Sequence, residues 1–169
     1  LCAAMWAAAC LWIANGHLMA SHAHLQLGWR EGAPTLGIYD FEAGAFPADA
    51  FPFLVGAVGA RLVPAGAQFG FLGAAGSTFF VLPQEQHPEL PYLGIGVDPL
   101  PVGTLAASRL RLRLVSVVGP GFFAMYQAGS FGEPKVCINS RDGVDGEDGM
   151  DLAPGAHEHM NWAFNAPGE

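Results

Sequence analysis

Apolar and polar residues alternate with a period of two in several short runs of this chain, the pattern of strands that bury one face. The plainest run is Ser108-Arg109-Leu110-Arg111-Leu112-Arg113-Leu114-Val115, in which the arginines face solvent and the leucines face a core. Further strands are expected at residues 35–41, 61–63, 69–72, 78–82, 92–97, 122–127 and 135–140. Between them lie turn-forming stretches: residues 30–34, the Ala-, Gly-, Pro- and Phe-rich loop 42–52, the loop 83–91, and the sharp turn Gly119-Pro120-Gly121. Short strands at this density predict an all-β fold, a single β-sandwich of immunoglobulin-like or jelly-roll-like type.

Two further runs carry candidate chemistry on one face. In His22-Ala23-His24-Leu25-Gln26-Leu27-Gly28-Trp29, a strand puts His22, His24 and Gln26 on one side and the apolar residues on the other. In His157-Glu158-His159-Met160-Asn161-Trp162-Ala163-Phe164, His157, His159 and Asn161 share one face, while Met160, Trp162 and Phe164 share the core face. In a helix the same pairs would diverge. Strands lying side by side would bring four imidazoles together.

Composition narrows the function classes. The chain has 169 residues, enough for one domain with a core, and a net charge of −8 with only seven basic residues. That argues against nucleic-acid binding, which needs a concentrated basic surface. Residues 1–20 are apolar and uncharged, but Asn15, Gly16 and His17 interrupt them, which suits a signal peptide better than a membrane span. Cleavage after Ala20 is expected; cleavage after Ala23 would remove His22. A lipoprotein attachment at Cys10 is the alternative. The mature domain is then residues 21–169, exported to the periplasm, cell surface or medium. The chain's start is expected to be truncated, and the terminal Pro167-Gly168 implies a missing last strand. Cys137 alone remains on the mature side and reads as a small buried hydrophobe. The acidic, glycine-rich stretch 141–151 lacks calcium-loop spacing and reads as a solvated turn.

Towards the C-terminus the pattern becomes specific. Gly119-Pro120-Gly121-Phe122-Phe123-Ala124-Met125-Tyr126, Asp142-Gly143, the run Gly155 through Phe164 and Ala166-Pro167-Gly168 resemble the actinobacterial-type surface-anchored protein domain, also called the choice-of-anchor M domain. His24-Leu25-Gln26-Leu27-Gly28-Trp29 and Pro91-Tyr92-Leu93-Gly94-Ile95-Gly96 are similar to the start and centre of such domains. The resemblance implies an extracytoplasmic β-sandwich on the bacterial surface. It also implies an association with metal-type ABC importers or other envelope components, and so a role in metal acquisition.

The candidate metal ligands are His22, His24, His157 and His159. Paired imidazoles on one strand face suit zinc, with copper or another transition metal as alternatives. Gln26 and Asn161 are expected to orient the rings by hydrogen bonds, and His87 reads as a bystander or capping ligand. Neutral imidazole is the binding form, so affinity is expected to fall below about pH 6.5. A cupin site would want an acid where Asn161 and Trp162 stand, and a blue-copper site would want Cys137 closer to His157. Glu158 faces away from the histidines, and no nucleophile elbow, phosphate loop or dinucleotide fingerprint occurs, so no catalytic residue is assigned. A metal-free structural or adhesive envelope module and, more weakly, a metal-dependent enzyme stay open beside the metal-capture reading.

Overall fold

The computed structural model describes residues 21–49, 53–101, 103–105 and 108–168, so the expected signal segment with Cys2, Cys10 and His17 lies outside the described residues. The chain forms the strands β1 (His22–Arg30), β2 (Ala33–Asp40), β3 (Gly44–Pro47), β4 (Ala60–Leu62), β5 (Thr78–Leu82) and β6 (Tyr92–Val97). They are followed by β7 (Leu110–Arg113), β8 (Phe123–Ala128), β9 (Pro134–Asn139), β10 (Gly149–Leu152), β11 (His157–His159) and β12 (Asn161–Phe164). One five-stranded sheet has the order β11-β6-β1-β2-β3 and a second the order β4-β5-β12-β8-β9, with β10-β7 as a separate ribbon. The two large sheets pack together as an all-β sandwich.

Alternation explains the layers. Ile95 and Val97 of the first sheet meet Phe123, Met125 and Ile138 of the second, and Met160 joins them fully buried. Ala23, Ile38 and Leu93 extend this core towards Leu82 and Leu90. The outer face of the second sheet is also covered: Phe79, Val81, Ala124 and Ala163 pack on Phe71 and Leu72. Those last two residues sit in a 3-10 helix, Ala67–Leu72, where a strand was expected. Adjacent Phe71 and Leu72 are both buried, which a one-sided strand does not allow but a tight helical turn does.

Other expectations are corrected in the same way. The loop 42–52 contains β3, which pairs with β2, and the acidic stretch 141–151 ends in β10, which pairs with β7. Asp148 within that stretch is buried; its carboxylate accepts from the backbone N–H groups of Asn139 and Asp145. The Arg/Leu strand holds as β7 but is shorter than its alternation, and Arg111 pairs with Asp151 at 3.2 Å. Cys137 is half-buried rather than buried, and burial pushes its thiol pKa up.

The largest departure concerns residues 157–164, which are two strands and not one. β11 pairs with β6 in the first sheet, whereas β12 lies between β5 and β8 in the second. The chain crosses between sheets at Met160, whose side chain fills the gap between them with 0% exposure. Met160→Ala is expected to cost about 2–5 kcal/mol, the usual range for a buried methionine truncation. A denaturant midpoint unchanged from wild type would show that this crossing carries no packing energy.

Candidate metal centre

β6 lies between the two histidine strands, so they are not side by side. It runs parallel to β1 and antiparallel to β11. Neighbouring strands are about 4.8 Å apart, which places β1 and β11 about 9–10 Å from each other. The register decides what fills that interval. Gly94 is opposite both His24 and His159, Gly96 is opposite Gln26 and His157, and Tyr92 is opposite His22. The residues facing the rings from below are therefore glycines, and the rings lean over β6 from both sides. A methyl group on Gly94 would stand 2.8 Å from His24 Cδ2 and 2.9 Å from His159 Cε1. Larger residues here would hold the pairs apart. Two glycines on one face of a strand were the sequence signal for this close approach, and the reading of Tyr92-Leu93-Gly94-Ile95-Gly96-Val97 as a plain strand missed it.

All four Nε2 atoms take part in the contacts that result. His22 Nε2 lies 3.1 Å from His24 Nε2 and 3.3 Å from His159 Nε2, and His157 Nε2 lies 3.0 Å from His159 Nε2. One ligand nitrogen from each of His22, His24, His157 and His159 falls within 4.8 Å of every other. The edges of a tetrahedral zinc site, with Zn–N of about 2.0–2.1 Å, are about 3.3–3.4 Å. A neutral ring nitrogen offers one in-plane lone pair or one proton. His22 Nε2 and His159 Nε2 each face two other nitrogens, more than either can serve in good geometry. A cation accepting all the lone pairs resolves that, so the donor set can hold a metal ion.

The surroundings support the rings in this arrangement. His159 stacks on Tyr92 with centroids 3.7 Å apart and 5° between planes, and His22 stacks on Phe41 at 4.2 Å and 19°. Phe41 also meets His24 edge-on at 4.7 Å. Asp40 holds Phe41 there: its Oδ1 accepts from the backbone N–H groups of Glu42 and Ala43, and the Phe41 N–H bonds the His22 carbonyl. Burial raises the Asp40 pKa, but the bonds from the Ala43 and Glu42 N–H groups and attraction to protonated His22 outweigh it, so the carboxyl stays below its ordinary range. Neither Asp40 nor the two aromatic residues was picked out as part of the site from the sequence.

Burial, and then repulsion from the neighbouring rings, lowers the pKa values of His22, His24 and His159. His24 is brought down to about 4, first by desolvation and then by His157, His22 and His159. His159 also falls to about 4, with the Leu93 carbonyl acting in the opposite direction. His22 is lowered by burial and by His157, against the pull of Asp40. These imidazoles are therefore neutral at neutral pH, the state that ligates.

The remaining expected members are placed elsewhere. Asn161 is in the second sheet, accepting from the Gln84 backbone N–H at 3.1 Å and donating to Gln84 Oε1 at 2.8 Å, because the chain has already changed sheets. Gln26 donates to Asp98 Oδ1 at 2.7 Å and not to a histidine. His87 accepts from the Glu89 N–H in its loop, apart from the cluster. Glu158 faces the other way as expected and accepts from Gln127 at 3.0 Å. Comparison of the chain with protein families, with curated proteins and with solved structures finds no match.

Two outcomes are expected of the metal-free domain. Between pH 6.5 and about 4, unfolded imidazoles take up protons while His24 and His159 in the folded state do not. The unfolded state then binds more protons, so stability falls as the pH is lowered through that window; below it the histidine contribution levels off and the lowered Asp40 carboxyl adds a further loss. Denaturation midpoints at stepped pH check this, and a flat profile would show that the rings are not buried together. Gly94→Ala leaves ordinary extended backbone but forces His24 and His159 apart; their imidazole NMR resonances are expected to shift while the circular dichroism spectrum is retained.

Proposed function

We propose that this chain is an exported metal-binding protein that captures zinc through His22, His24, His157 and His159 for delivery at the bacterial surface. The observation that carries the reading is the convergence of four ring nitrogens from opposite ends of the domain within 4.8 Å. The donor set is all-nitrogen, which favours zinc or another late first-row ion over calcium or magnesium. Copper is the nearest competitor for such a set. Cys137 lies on β9 in the second sheet and Met160 points into the core, so neither belongs to the cluster in the way a blue-copper centre would need.

Export is the reading of the apolar, uncharged residues 1–20, and of the expected resemblance of the C-terminal third to surface-anchored domains, for which the family comparison gives no match. Delivery to a metal-type ABC importer rests on that same resemblance. Among the described residues no helix is long and apolar enough to cross a membrane.

Competition titration with a chromophoric chelator tests the reading. The purified chain is expected to take up one zinc ion, and the double variant His157→Ala, His159→Ala to lose affinity by about 100-fold or more, the upper end of what even outer-shell changes cost. With the His24 and His159 pKa values at about 4, binding is expected to persist well below pH 6.5 and to fail nearer pH 4, as protons compete for those nitrogens. Elemental analysis of protein isolated without chelator identifies the metal. Unchanged affinity in the double variant would leave a metal-free envelope module as the reading.

A further inference from the structure

The four ligands are not held alike. His24 is 4% exposed on β1, a nine-residue strand paired on both sides, by β2 and β6. His22 and His159 are half-buried, and each has an aromatic partner in face-to-face contact, Phe41 and Tyr92. His157 is exposed. Among the described residues its ring contacts are with other histidines alone. It sits at the start of a three-residue strand that pairs only with β6, at the edge of the sheet. From Met160, which is fully buried, through His159 to His157 side-chain exposure rises, although the backbone just before His157 is bonded to Val97. Short edge segments with few buried contacts are the first to open.

From this gradient we propose that His157 is the exchange ligand of the metal centre: His22, His24 and His159 form a retained three-histidine seat, and metal passes to and from the protein through the position that His157 vacates. The inference rests on the metal-capture reading above and specifies how the site works. The bond from the ion to His157 Nε2 breaks as one forms to an incoming donor such as imidazole, carboxylate or water. The oxidation state of the metal does not change, and the freed imidazole leaves neutral or takes up a proton from solvent. An acceptor can then displace His157 directly, without the ion first being released to water. Closed four-ligand sites are structural, whereas sites with three protein ligands and one replaceable position admit exchange. A single swinging histidine converts one into the other.

The test uses the whole purified chain loaded with cobalt(II) or zinc, and compares His157→Ala with His24→Ala. His157→Ala is expected to keep one metal ion per chain and to release it to a chelator about tenfold faster or more, since affinity differences within one site are mostly differences in release. Added free imidazole is expected to restore a wild-type cobalt spectrum to His157→Ala by occupying the open position. His24→Ala is expected to lose the metal and to resist imidazole rescue, because that corner is buried. Release from the wild type is expected to accelerate with chelator concentration, as direct displacement requires. Circular dichroism establishes that both variants fold, and His87→Ala, at a histidine in a loop apart from the cluster, serves as a control with unchanged release. Loss of metal from His157→Ala as complete as from His24→Ala, or wild-type release independent of chelator concentration, would overturn the exchange role while leaving the metal site standing. Failure of the wild type to bind either metal would remove the site itself.

Discussion

The approach of imidazoles from two strands across the one that separates them is the constraint on which the candidate centre depends. Backbone spacing alone keeps β1 and β11 too far apart for their histidines to meet. What permits the meeting is the absence of side chains at Gly94 and Gly96, so that His24 and His159 lie over the strand between them. Tyr92 supplies the opposite need on the same face of β6, a flat surface on which His159 stacks. One strand thus provides clearance at two positions and support at a third.

That arrangement depends in turn on the packing beneath it. Leu93, Ile95 and Val97 alternate with Tyr92, Gly94 and Gly96, so the same strand that clears space outside is buried inside. Its place between β11 and β1 in the first sheet is fixed by that core. On the other flank, β11 stays beside β6 because the next residue, Met160, enters the interior and the chain continues as β12 in the second sheet. The Tyr92 ring covers His159, whereas the ring contacts of His157 among the described residues are with histidines alone, so two histidines only two residues apart differ in exposure.

The electrostatic character follows from the same geometry. Three of the rings are gathered where water is partly excluded and no carboxylate joins the donor set, so a positive charge on His22, His24 or His159 would meet both desolvation and its neighbours. Those three rings resolve this by staying neutral, which leaves ring nitrogens free to ligate beside one another. Asp40 acts from outside the cluster, shaping the turn that brings Phe41 over His22.

Much of this was legible in the sequence because it is local. Period-two alternation identified β1 and β7, and it placed His22 with His24 and His157 with His159 on shared faces, since neighbouring side chains on a strand must point oppositely. Strands β4, β5, β6, β8 and β9 were legible as short apolar runs between Gly and Pro turns. Short elements were missed where alternation spans too few residues to register, as in β3 and β10, and Phe71 beside Leu72 gave a strand pattern that a 3-10 turn satisfies better. Which strand lies beside which is not a local property. Only the tertiary structure decided that β6 sits between the histidine strands and that residues 157–164 divide between two sheets. The sequence determined which faces carry imidazoles; the packing of Met160 and the registration of two glycines determined that those faces meet, because burial and strand pairing join residues that the chain keeps far apart.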